Sequence, residues 1–101
     1  MTIDFRAEDG TLHIWLAGEL GHHEAIRLMA RLSRLVEEQL PARLVLDLAG
    51  LEFMDSSGIA VVVQTARKCA ACGGSLSVIN TPPQARKVLF TAGIHRLVDI
   101  R

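Results

Sequence analysis

The chain has 101 residues, half of them hydrophobic, and its 11 lysines and arginines balance 11 aspartates and glutamates. A neutral balance leaves no broad cationic footprint for nucleic acid, and no apolar run approaches the roughly 20 residues a membrane span requires. The length fits one α/β domain over residues 1–101, and the lack of a basic-then-apolar leader leads us to expect a cytoplasmic protein with no direct nucleic-acid or membrane contact.

In chain order, Ile3-Asp4-Phe5-Arg6 and Leu12-His13-Ile14-Trp15-Leu16 alternate in polarity around Asp9-Gly10, a hairpin signal, so an antiparallel pair opens the fold. From Glu24 to Gln39 the apolar residues Ala25, Leu28, Met29, Leu32, Leu35 and Val36 recur at helical spacing before Pro41. Leu44-Val45-Leu46-Asp47-Leu48 reads as a parallel strand covered on both faces. Its one carboxylate, Asp47, needs partners and is expected to tie down the following loop.

Next comes Phe53-Met54-Asp55-Ser56-Ser57-Gly58-Ile59, a strand end, a short turn and a helix start. Asp55 is the natural N-cap, because its carboxylate can accept an orphan backbone N–H two or three residues on. Val61-Val62-Val63 favours a strand by propensity, yet Ile59, Val62, Val63, Ala66 and Ala70 share a helical face and Gly73 supplies a stop, which predicts a helix. Leu76-Ser77-Val78-Ile79 is the next strand. Thr81-Pro82-Pro83-Gln84 predicts a helix opening with Thr81 capping and Gln84 closing a capping box. That helix ends at Gly93-Ile94 in Schellman fashion, and Leu97-Val98-Asp99-Ile100 forms a last strand, giving β-β-α-β-α-β-α-β.

Two hydroxyls thus stand at a helix mouth, where free N–H donors and the helix dipole accept an anion, at the strand end where open α/β sheets bind ligands. Such a serine is a nucleophile, an anion ligand or a phosphorylation target. Around Ser56 the sequence reads Met54-Asp55-Ser56-Ser57-Gly58, which fails the G-x-S-x-G of a nucleophile elbow at its first glycine, and the lysine of a phosphate-binding loop is absent. His22 and His23 are neighbours, about 100° apart on a helix, and suit chelation poorly. Cys69 and Cys72 form a C-x-x-C at the end of a helical run rather than at its start, and two sulfurs make half a zinc site. No catalytic residue, metal or cofactor is expected. Gly58 weakens a helix by about 1 kcal/mol relative to alanine, so close approach of a partner backbone is expected there.

The run from Leu44 to Ile59, with Gly18-Glu19-Leu20 and His22-His23 upstream, Gly73-Gly74 downstream and Arg86-Lys87-Val88-Leu89-Phe90 later, resembles the STAS family, specifically the bacterial anti-sigma factor antagonists. The resemblance spans essentially the whole chain and implies a STAS fold, a mixed sheet with helices mainly on one face. It further implies that Ser56 is phosphorylated by a partner that is both anti-sigma factor and serine kinase. The unphosphorylated form would bind that partner and free a sigma factor in sporulation or stress, and a PP2C-type phosphatase would reset the switch. Asp55, Ser56, Ser57 and Gly58, with Gly21 and His22 nearby, would form the contact surface. Where such proteins commonly read Gly-Glu-Leu-Asp, this chain has Gly18-Glu19-Leu20-Gly21, so an acidic group near the switch is missing. The alternatives are a STAS scaffold or sensor without a phospho-switch and, ranked far lower, a small serine hydrolase.

Overall fold

The hairpin at Asp9-Gly10 forms as expected: both residues take positive φ, 51° and 78°, the left-handed geometry that matches the twist of the strands it joins. The computed structural model describes residues 1–101. It places β1 at Thr2–Glu8, β2 at Thr11–Leu20, α1 at His22–Gln39, β3 at Arg43–Met54, α2 at Ser57–Ala71, β4 at Ser75–Ile79, α3 at Pro83–Thr91, a 3-10 turn at Ile94–Arg96 and β5 at Asp99–Ile100. The five strands make one sheet in the order β1-β2-β3-β4-β5, antiparallel at β1–β2 and parallel elsewhere.

The register explains the core. Phe5, Ile14, Leu46, Val78 and Ile100 lie opposite one another across all five strands, and Ala7, Leu12, Leu44 and Leu76 form the next row on that face. Leu12, Ile14, Leu44, Leu46 and Val78 are fully buried there, beneath Leu28, Leu32 and Val36 of α1 and Val61 and Val62 of α2. On the other face His13, Trp15, Val45 and Ser77 keep partial exposure, so the helices cover mainly one side. β3 is therefore not sheltered on both faces as its continuous apolar run suggests.

Elsewhere the structure redraws boundaries. β3 continues past Leu48 to Met54, because two register shifts against β2 absorb extra residues and return Leu51 and Met54 to the core. Ala49-Gly50 and Glu52 break the alternation that would have marked this extension. The buried face of α2 is Gly58, Val61, Val62, Thr65 and Cys69, while Ala70 is exposed. Thr65 tolerates burial because its hydroxyl donates to the Val61 carbonyl at 2.7 Å. The last strand shrinks to two residues: Ile94 packs into the core after Gly93, which has φ 77°, and the chain makes its 3-10 turn before reaching the sheet. No helix is long and apolar enough to cross a membrane.

Candidate functional site

The serine pair sits where β2 and β3 both end at the same edge. The Asp55 N–H donates to the Leu20 carbonyl at 3.1 Å, which fixes the end of β3 beside the loop that enters α1. Asp55 Oδ1 accepts the Ser57 N–H at 2.8 Å, and the Gly58 N–H closes the first turn on the Asp55 carbonyl at 3.0 Å. Asp55 thus performs the capping read from the sequence, two residues ahead of the regular helix. Ser56 already has helical angles, φ −62° and ψ −18°, and makes no side-chain cap bond. The Gly58 and Ile59 amides that a Ser56 cap would take go instead to the Asp55 and Ser56 carbonyls, so the exposed Ser56 hydroxyl is left free, whereas Ser57 is half-buried.

The mouths of α1 and α2 open side by side. Gly21 caps α1 in extended conformation without a side-chain bond. A Cβ added at Gly21 would lie 3.4 Å from Glu24 Oε2 and 3.8 Å from Asp55 Oδ2. The missing carboxylate therefore corresponds to a notch already flanked by two carboxylates, one in the first turn of α1 and one capping α2. His22 and His23 are exposed and meet edge to face, centroids 5.9 Å apart.

Three residues, Gly58, Thr81 and Gln84, behave differently from their sequence reading. Gly58 is buried, and a Cβ there would come within 2.4 Å of the Met54 Cγ and 2.6 Å of its Sδ. The close approach expected at Gly58 is thus made from within the domain, by the side chain that ends β3. Gln84 closes no capping box, and α3 starts at Pro83 behind Pro82 with no side-chain cap bond. The Thr81 hydroxyl is buried and unbonded. Gln84 instead turns its amide onto Met54, accepting the Met54 N–H at 2.8 Å and donating to the Met54 carbonyl at 2.7 Å. β4 accompanies β3 only as far as Asp47 opposite Ile79, so the Gln84 side chain stands in for the missing strand next to the serine turn. No local signal separates this role from capping, since both need an amide at the same place in sequence.

Asp47 is tied down as expected, and by more than its loop. Its Oδ1 accepts the Ala49 N–H at 3.0 Å, both oxygens lie 3.1 Å from Asn80 Nδ2, and His13 Nε2 stands 3.1 Å from Oδ2 while stacking on Trp15. Burial pushes the Asp47 carboxyl upward in pKa, but the bonds from Ala49, Asn80 and His13 together outweigh it and hold it below its ordinary value. Cys69 faces the opposite situation: burial pushes its thiol up to about 11, so it is not poised as a thiolate at neutral pH.

Fold and site define a small α/β domain with a mixed sheet and a free serine hydroxyl at the helix mouth that follows its central strand. The chain belongs to the STAS domain family, matching it over residues 2–101. It is 34% identical over 84 residues to the anti-sigma F factor antagonist of Lysinibacillus sphaericus, covering 83% of this chain and 72% of that protein. With the anti-sigma F factor antagonist of Paenibacillus polymyxa it shares 27% identity over 100 residues, 99% of this chain and 86% of that one. The solved structure of the anti-sigma factor antagonist SpoIIAA in its unphosphorylated form superposes with a TM-score of 0.83 at 27% identity, covering 99% of this chain and 88% of that one.

Proposed function

We propose that this protein is an anti-sigma factor antagonist whose unphosphorylated form binds an anti-sigma factor that is also a serine kinase, and that phosphorylation of Ser56 ends the contact. The observation that carries this reading is the exposed Ser56 hydroxyl, which makes no cap bond at the mouth of α2. Similarity to proteins named anti-sigma factor antagonists supports the role, and one solved relative is the Bacillus cell fate determinant SpoIIAA in its phosphorylated form, TM-score 0.74 at 27% identity over 99% of this chain and 91% of that one. Asp55 and Ser57 shape the contact around Ser56, Gly21 and His22 extend it across the α1 mouth, and Gly58 supports it from below through Met54. The protein acts in the cytoplasm as a regulator, not an enzyme, and a PP2C-type phosphatase resets it.

Phosphate adds roughly −1.5 to −2 charge at pH 7. The α2 N-terminus tolerates that charge in the free protein, although Asp55 and Glu24 offer it no cation. Against a partner surface shaped for a hydroxyl, the phosphate loses its water without gaining a partner, at a cost of several kcal/mol. About 4 kcal/mol already weakens binding roughly a thousandfold.

The test titrates unmodified protein, phosphoprotein, Ser56→Asp and Ser56→Ala against the anti-sigma kinase, with circular dichroism to verify folding. Ser56→Ala should bind and resist the kinase, phosphoprotein should lose binding, and Ser56→Asp should fall between. Equal affinity of phosphorylated and unmodified protein would replace the switch with a STAS scaffold.

A further inference from the structure

The outer edge of the sheet carries a pattern that the serine site does not use. β1 pairs only with β2, so the backbone groups along its other side have no ladder partner over seven residues. Its side chains divide by face. Ile3, Phe5 and Ala7 lie in the rows of the apolar core, yet Phe5 is 41% exposed because nothing covers the edge. Asp4, Arg6 and Glu8 lie on the opposite face with alternating sign. Natural edges repel a second strand with charged side chains, prolines or bulges; β1 has no proline and a regular register along its length, and its three charges alternate in sign.

We propose that β1 is a self-complementary seam through which two copies of this chain pair antiparallel about a two-fold axis at Phe5. In that register Phe5 meets Phe5 of the second copy and Ile3 meets Ala7, while on the other face Asp4 meets Arg6 and Arg6 meets Asp4. Neighbouring registers fail. A shift by one residue sets Phe5 against a charge, and shifts that keep the faces aligned bring Asp4 onto Asp4, or Asp4 onto Glu8 with Arg6 onto Arg6. Among antiparallel overlaps of five or more residues, the charge pattern therefore admits one pairing with apolar residues on one side and two ion pairs on the other, an isologous contact. The existing Arg6–Glu8 contact at 3.4 Å joins two largely exposed groups and is readily given up.

Beside the seam, a groove of about 500 Å³ between β1 and α1 is floored by Met1, Ile3 and Leu28 and walled by Arg27 and Arg31, which form no ion pair, with Glu24 also in its lining. In the pair these arginines approach the seam from both copies and oppose association. One strand pair buries less than the roughly 1,200 Å² of a standard interface, so the dimer is weak and concentration-dependent.

Sedimentation velocity of the full chain up to millimolar concentration tests the seam. Asp4→Arg and Arg6→Asp should each weaken association about tenfold (roughly 1.4 kcal/mol) by turning two attractions into repulsions, and the double exchange Asp4→Arg/Arg6→Asp should restore it. Phe5→Lys should abolish it, with circular dichroism unchanged because all three side chains are exposed. Arg27→Gln/Arg31→Gln should leave the dimer equal or tighter. A monomer at every concentration, a double exchange that fails to rescue, or weakening by the arginine pair would each overturn the proposal. The last outcome would mean that the arginine groove, and not the β1 edge alone, holds the second copy.

Discussion

Replacing Gln84 with methionine tests whether a side-chain amide seats the serine turn. The change keeps length and helix propensity while removing both bonds to Met54, at 2.8 and 2.7 Å. Met54 is almost wholly buried, at 1% exposure, so its N–H and carbonyl lose partners that water replaces only in part. Leaving a buried polar group unpaired costs about 1–3 kcal/mol. Gln84 itself lies on the surface, so the lower end applies to each bond, and the pair is worth about 2 kcal/mol. With a urea m-value of roughly 1–3 kcal/mol per M, the unfolding midpoint should fall by about 1 M at unchanged m. Hydrogen exchange supplies the local readout, since the Met54 amide should lose protection well beyond the global change. Gln84→Glu separates the two bonds: it keeps the acceptor for the Met54 N–H and sets a carboxylate oxygen against the Met54 carbonyl, so it should cost at least as much at neutral pH. A stability change under about 0.5 kcal/mol with the Met54 amide still protected would refute the reasoning.

Gly58→Ala should destabilise by about 1 kcal/mol despite better helix propensity, because the new methyl overpacks buried Met54. Pairing it with Met54→Val should recover part of the loss in a double-mutant cycle, and a plain gain in stability would show that the contact gives way freely. Asp47 makes a pH-dependent contribution. Its folded pKa is held below the ordinary 3.8, so the unfolded chain binds the proton more readily, and this stability is present above that value and lost as pH falls through the lower folded one. Asp47→Asn should therefore unfold more easily than the parent at neutral pH, by a margin that shrinks under acid. A constant margin across acid titration would assign the effect to packing alone.

Local signals sufficed for much of the architecture. Period-two alternation marked β1 and the first half of β2, the spacing of leucines marked α1, and an aspartate before two serines marked the start of α2, because each depends on residues a few positions apart. Asp55 and Ser56 were legible for that reason, since a cap is a local hydrogen bond. Burial was less so. The apolar run of β3 cannot say whether one face or two is covered, and the valines of α2 leave the helix rotation open until Thr65 satisfies its own hydroxyl within the core. Only tertiary structure decided that Gln84 completes the edge of β3 instead of capping α3, that Met54 fills the space above Gly58, and that Glu24 and Asp55 flank the notch at Gly21. Gln84 stands 30 positions from Met54 and Asp55 stands 34 from Gly21, so sheet order and register, which no window of neighbouring residues contains, bring them together; Met54 and Gly58 are four apart, but their contact depends on how β3 turns into α2.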